Sequence, residues 1–397
     1  MPAAVRICVR RRALRRDADW GMDKAEHDRA YRTLDGLRGV AALLVVTRHV
    51  GAFFPARMFP ESFLAVDLFF LLSGFVIAYA YEARLLAGTS LRAFMKTRLI
   101  RLYPLYLLGI GVGVAARLFG GLTDDDHGMD WLSLGQAVAI GLSMLPAAPF
   151  LPLGGAALDG PTWTLLPELV ANLLYAKSVR RLSKPVLLAV TALGGAGLVA
   201  CEQVYGTLDG GWNLNALPLL AARLAFSFFL GVTVFRFRPA RGRRPWLAWG
   251  CLMVLGVALC LQPAAHWRQL YELVAVMILF PAILLVAVRS EPGRIGAPVF
   301  AWLGAVSYAV YVLHHPLGVL ADEVQQQVPG AHTPTLVTGA LFLLAVTALG
   351  TLADRLYDGP VRKRLSEALR RWPAQAGRAT QRFRPVTGGV EQALPAE

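Results

Sequence analysis

Apolar runs of about twenty residues recur along the whole chain, separated by short polar or basic stretches. A run of that length, all apolar rather than one-sided, is the signature of a helix that spans a bilayer. The pattern predicts spanning helices at roughly 34–54, 62–82, 99–119, 163–181, 185–203, 216–236, 246–263, 269–289, 298–320 and 334–355. An eleventh apolar stretch, 132–150, is broken by Gly135, Gly141, Pro146 and Pro149. It reads as a re-entrant or interfacial segment, which requires protein or water to satisfy its backbone. The predicted fold is therefore all-α: a polytopic transmembrane bundle of about ten helices with one segment that does not cross.

Composition agrees. Of 397 residues, 56% are hydrophobic and only 17% charged, against about 25% charged in ordinary soluble domains. The net charge of +14 could suggest a nucleic-acid binder, but the basic residues sit in short loops and tails. That is how the positive-inside rule distributes Lys and Arg, so no nucleic-acid partner is expected. The charges also settle the awkward segment. If 132–150 crossed, the clusters Lys177/Arg180/Arg181/Lys184 and Arg236/Arg238/Arg241/Arg243/Arg244 would face outward. If it does not cross, the basic loops share the cytoplasmic side, both termini lie there, and Asp124, Asp125, Asp126, Asp209, Asp322 and Glu323 lie outside. Residues 1–30 read as a basic leader, with Met22 an alternative start, 31–356 as the membrane domain, and 357–397 as a basic tail interrupted by Pro and Gly. Three of the four cysteines, Cys201, Cys251 and Cys260, lie in apolar runs and read as small hydrophobes.

Ionisable groups inside spans are costly, so each is a functional candidate. In the first span Arg38 lies near the cytoplasmic end and His49 eleven residues on, about 16 Å further out at 1.5 Å per residue. Asp67, Glu168, His314 and His315 reach a depth like that of His49 in this topology, while Arg98 and Arg101 lie level with Arg38. The pattern is a carboxylate–imidazole cluster on one side and a guanidinium cluster on the other. Paired guanidiniums suit phosphate; an imidazole beside a carboxylate suits general-base work on a hydroxyl. Each group also has a plain reading. Asp67 can brace helices, Arg48 and Arg223 can be structural, and Arg98 and Arg101 can be interfacial anchors. A Gly-rich phosphate loop, a nucleophile elbow and a zinc spacing do not occur, and adjacent His314 and His315 do not make an i,i+4 metal pair. No metal is expected.

The run Leu34-Asp35-Gly36-Leu37-Arg38-Gly39-Val40-Ala41-Ala42 followed by His49 resembles the opening of the acyltransferase 3 family of membrane acyltransferases. Val66-Asp67-Leu68-Phe69-Phe70-Leu71-Leu72-Ser73-Gly74-Phe75-Val76, Arg98-Leu99-Ile100-Arg101-Leu102-Tyr103-Pro104, Trp163-Thr164-Leu165-Leu166-Pro167-Glu168 and Ser307-Tyr308-Ala309-Val310-Tyr311-Val312-Leu313-His314-His315-Pro316 extend the resemblance in order. Thr164 stands where a Ser is usual, and Pro167 is unusual in that segment. The resemblance implies O-acylation of a carbohydrate or glycolipid acceptor in a bacterial inner membrane, with acyl-CoA, acetyl-CoA typically, as co-substrate and no permanently bound cofactor. It implies that His49 is the base, with Glu168 or Asp67 orienting it, and that Arg38, Arg98 and Arg101 hold the donor. Ser73, Trp163, Tyr308 and His314 are the remaining candidates for the substrate site. Ser73 and the backbone N–H groups of the re-entrant segment are the only oxyanion donors this reading offers. The competing class is a secondary transporter or flippase that uses the same buried charges as a proton or substrate path. The chain shows no internal repeat of the kind many transporters carry.

Overall fold

A computed structural model describes residues 31–123, 130–145, 158–211, 214–238, 242, 244–328 and 333–369. The basic leader, Met22 and the end of the tail lie outside the described residues. Among those described there is no strand, and eleven helices follow one another: α1 Arg32–His49, α2 Ala65–Leu86, α3 Leu91–Thr123, α4 Trp131–Ser143, α5 Leu165–Ser178, α6 Lys184–Tyr205, α7 Leu217–Arg236, α8 Pro245–Cys260, α9 Ala265–Ala287, α10 Gly293–Gln326 and α11 Leu336–Leu369. Seven of them (α2, α3, α6, α7, α9, α10 and α11) are long and apolar enough to cross a bilayer. The ten predicted spans each correspond to a helix, and α4 is the eleventh segment.

The outward faces stay apolar at mid-helix: Leu193, Ile278 and Leu344 are all exposed, as a hydrocarbon surround requires. The core lies where α10 packs along α1 and α3, and α2 along α7. Without a hydrophobic drive between helices in lipid, close packing relies on small residues. At the α2–α7 contact Gly74 faces the Phe228 carbonyl and Gly231 faces the Leu71 carbonyl, and a Cβ on either would strike backbone.

One end of the bundle carries Arg84, Arg92, Lys177, Arg180, Arg181, Arg238 and Arg294; it is called the basic end below. Arg180 there reaches the Leu86 carbonyl at 3.2 Å, and Arg236 reaches Glu82 at 3.1 Å.

α4 explains how an apolar segment can fail to cross. α4 has 13 residues, about 20 Å at 1.5 Å per residue and too short for a 30 Å hydrocarbon layer, and α5 has 14 and is entered directly from the 3₁₀ segment Gly160–Thr164. α4 stops at Met144, whose left-handed backbone (φ 57°) caps it. Its last carbonyls would be orphans in hydrocarbon. Tyr103 donates to the Leu142 carbonyl at 2.7 Å, and Tyr106 donates to that of Gly141. α5 starts deep in the bundle, where Tyr311 of α10 donates to the Pro161 carbonyl, and runs to the basic end. The two short helices both pack along α3.

This corrects the predicted depth of Glu168, which lies against Arg98 and Ser73 and not beside His49. The last helix also runs further than the predicted span 334–355, because α11 continues to Leu369. Gly359-Pro360 reads as a stop, since Pro lacks an N–H and collides with the preceding turn. The helix absorbs it with a π-turn at Asp354–Asp358, which widens the backbone just before the proline.

Candidate functional site

α1 ends on His49, and the valines around it lock the end of that helix against α10 and α11. Val46, Val50, Val306, Val310, Phe342 and Val346 form a separate buried cluster there. The packing brings His49 beside His314 and His315 of α10, with ring centroids 5.2 Å and 6.3 Å away.

The hydrogen bonds assign the tautomers of this pair. His314 is fully buried, and its Nδ1 lies 3.0 Å from the Val310 carbonyl. A carbonyl only accepts, so that Nδ1 carries the proton and Nε2 of the neutral ring is bare. His314 Nε2 lies 3.3 Å from His49 Nδ1, which is also 3.0 Å from the Val45 carbonyl. Both neighbours accept, so His49 Nδ1 donates to them. The remaining nitrogen of His49, Nε2, is left with its lone pair, on a side chain that stays exposed.

Neither carboxylate expected to orient His49 does so. Asp67 is 1% exposed and accepts from Arg223 Nε at 3.0 Å, Arg223 Nη2 at 2.7 Å and Ser227 Oγ at 3.1 Å. It braces α2 against α7. Glu168 accepts from Arg98 at 2.9 Å and from Ser73 Oγ at 2.9 Å. The reason is the late start of α5, which places Glu168 against the lower part of α3. Arg48, one residue before His49, pairs with Asp209 and with the Pro60 carbonyl.

Toward the basic end, consecutive residues of α10 gather two of the three candidate donor arginines. Arg38 donates to Ser307 Oγ at 3.2 Å and to Asp35 at 2.6 Å. The Arg101 guanidinium lies over the Tyr308 ring at 5.3 Å, and its Nη1 is 3.8 Å from Asp358 Oδ2. Tyr308 itself donates to the Leu102 carbonyl at 2.5 Å. Seven helical residues, about 10 Å, separate Ser307 from His314. Trp163 packs on Gly211.

The sequence reading missed several participants. Tyr311 and Thr164 share a hydrogen bond of 2.6 Å and fix the turn at Gly160–Thr164 that leads into α5. Asp159 at the head of that turn is 5% exposed, and neither carboxylate oxygen has a hydrogen bond among the described residues. Asp358 and Arg362 pair at 2.8 Å beside Arg101. The Asp-Gly-Pro step before Trp163 was the available signal for a buried turn. The i,i+4 spacing of Asp358 and Arg362 was the signal that the last span continues as helix.

Comparison with known proteins adds the family. The sequence model described as an acyltransferase domain matches residues 31–354. A Rhizobium radiobacter protein named protein 2 in picA locus is 43% identical over 43% of this chain and 94% of its own length. A Komagataeibacter xylinus protein, provisionally named membrane-bound transacylase BcsY, is 27% identical over 80% of each chain. The peptidoglycan O-acetyltransferase OatA of Listeria monocytogenes is 22% identical over 83% of this chain and 56% of its own length, so the chain spans just over half of that protein. No solved structure matches. With its helical bundle, its motifs in order and a family match over most of its length, the chain belongs to the acyltransferase 3 family and is a multi-pass membrane acyltransferase.

Proposed function

We propose that the protein moves an acetyl or related acyl group from acyl-CoA to a hydroxyl of a carbohydrate or glycolipid of the cell envelope, with His49 as general base. One observation carries this reading: the pairing with His314 leaves His49 with a bare, accessible Nε2. The basic end faces the cytoplasm, as the distribution of Lys and Arg favours. The donor enters there, and Arg38 and Arg101 take its phosphates, with Arg98 beside them. Each is already paired with a carboxylate (Asp35, Asp358 and Glu168 respectively), so donor phosphates exchange with those partners. The pantetheine arm then extends toward His49, which lies about 16 Å along α1 from Arg38.

The acceptor hydroxyl gives its proton to His49 Nε2 as its oxygen attacks the acyl carbonyl. The carbon–sulfur bond breaks, and the protonated imidazole returns the proton to the departing thiolate. Support for a saccharide acceptor comes from relatives such as OatA, named a peptidoglycan O-acetyltransferase.

The test is turnover of radiolabelled acetyl-CoA in membranes carrying the wild type, His49→Ala or Arg101→Ala, with mixed peptidoglycan and polysaccharide fragments as acceptor. Loss of the base lowers kcat by roughly 10²–10⁴-fold. Arg101→Ala raises the donor KM and leaves kcat within a few fold. Normal turnover by His49→Ala removes the base assignment.

A further inference from the structure

His315 is the imidazole that the acid–base scheme leaves idle, and its surroundings give it the opposite tautomer to His49. It sits on α10 one residue past His314, with its ring 6.3 Å from that of His49 and the two planes at 83°. Its Nδ1 is 3.4 Å from the backbone nitrogen of Gly160, which is the donor. A backbone N–H can only donate, so Nδ1 accepts, and the proton of the neutral ring rests on Nε2. That Nε2 has no hydrogen-bond partner among the described residues, and it is not one of the buried unpartnered atoms. It therefore opens on accessible space.

The Gly160 amide is itself held in place. It belongs to the turn at Gly160–Thr164, which Tyr311 fastens through the Pro161 carbonyl. Tyr311 lies on the same helix as His314 and His315, so one helix fixes the base tautomer of His49 directly and the donor tautomer of His315 through a turn.

Acyl transfer needs more than a base. When the acceptor oxygen adds to the acyl carbonyl, the carbonyl oxygen becomes an anion, and a fixed donor aimed at it contributes a large share of rate enhancement in dry sites. The two imidazoles suit that need together, because one carries a lone pair and the other an N–H on rings whose centroids lie 6.3 Å apart. We propose that His315 is the oxyanion donor of this enzyme, its Nε2–H binding the tetrahedral intermediate while His49 handles the proton. The step balances: the acceptor O–H proton goes to His49, the new carbon–oxygen bond forms, negative charge collects on the oxygen held by His315, and re-forming the carbonyl expels the thiolate. This rests on the reading of His49 as the base.

The experiment compares kcat and donor KM for acetyl-CoA, with the same fragment acceptors, in His315→Phe and His315→Gln beside His49→Ala. Activity is normalised to the coenzyme A that each preparation binds. Phe keeps a ring and loses the N–H; Gln keeps an amide N–H donor at a similar reach. The expected result is a fall in kcat of about 10²–10³-fold for His315→Phe, with donor KM within about threefold. His315→Gln is expected to stay within about tenfold of wild-type kcat, as one retained donor predicts. A His315→Phe enzyme within tenfold of wild type, with His49→Ala inactive, overturns the proposal and leaves the base assignment standing. Normal turnover by both His315→Phe and His49→Ala removes the base assignment, and the proposal with it. If His315→Phe binds no coenzyme A, His315→Gln decides alone: kcat within tenfold supports the donor role, and a larger loss overturns it.

Discussion

Two polar clusters stand in this bundle and differ in how far their hydrogen bonds are spent. Around Arg223 every guanidinium nitrogen donates to the protein and both oxygens of Asp67 accept. Its Nε and Nη2 go to Asp67, its Nη1 donates to the Gly210 carbonyl at 2.7 Å, and Ser227 fills the second oxygen of Asp67. Around His49, by contrast, His314 spends both nitrogens, while His49 and His315 each spend one and keep the other open. Charge alone does not separate the two sites, because both combine ionisable side chains from different helices. Unspent capacity does. A saturated network holds helices together, whereas an open one is available to a substrate.

The largest effect expected from breaking this contrast is on the saturated side. Asp67→Ala leaves the Arg223 guanidinium, 1% exposed, without its counter-charge, and such a break costs about 3–5 kcal/mol. Thermal unfolding in detergent should show a severe loss of the folded protein. Replacing both partners together, Asp67→Leu with Arg223→Met, should recover much of that loss, since a buried pair exchanged for apolar groups is often near neutral. His49→Ala should unfold close to wild type while losing turnover. A stable Asp67→Ala protein with a specific loss of kcat would move Asp67 back to the chemistry and erase the distinction.

Glu168 sharpens the comparison because it lies between the two extremes. One of its oxygens, Oε1, receives both Arg98 and Ser73, and the pair is 12% and 22% exposed, so it is sheltered but not sealed. Glu168→Gln removes the charge and keeps the shape. A hydrogen bond to a charged group contributes about 1.5–3 kcal/mol, and the loss of stability should fall near the lower figure. If Arg98 serves the donor, releasing it from its carboxylate changes the KM for acetyl-CoA. If KM is unchanged and only stability falls, Glu168 and Arg98 form a brace like Asp67 and Arg223, and the donor set reduces to Arg38 and Arg101.

Much of this was legible in the sequence, and the failures have a common cause. Apolar run length identified the helices, because a bilayer demands about 20 residues whatever the packing. The proline and glycine breaks marked 132–150 as unlike the other segments, and a helix of only 13 residues stands there. The Arg38–His49 spacing held because both lie on one unbroken helix, where distance follows from residue count. Glu168 was misplaced because its helix begins inside the bundle, and residue count from an assumed outer end carries no information across a buried turn. The partner of His49 was likewise not legible. A carboxylate is the ordinary companion of a catalytic imidazole, but the carboxylates here were claimed by Arg223 and Arg98, and which partner wins is settled by packing between helices distant in sequence.

The smallest effect expected concerns the turn that joins the two short helices. Tyr311 donates to the Pro161 carbonyl and accepts from Thr164 Oγ at 2.6 Å. Tyr311→Phe removes both bonds and keeps the ring, which packs edge-on against Phe69 at 5.6 Å. Each lost bond is worth about 1 kcal/mol, and the Pro161 carbonyl can turn to the Thr164 hydroxyl instead, so the net cost in stability should be about 1 kcal/mol. The turn also carries the Gly160 N–H that faces His315, so loosening it should lower kcat by a few fold with donor KM unchanged. That split is what sets the turn apart from the saturated brace around Arg223, where a lesion is felt in folding first. A Tyr311→Phe protein with wild-type kcat and only a lower Tm would show that the turn holds the bundle together without tuning the imidazoles.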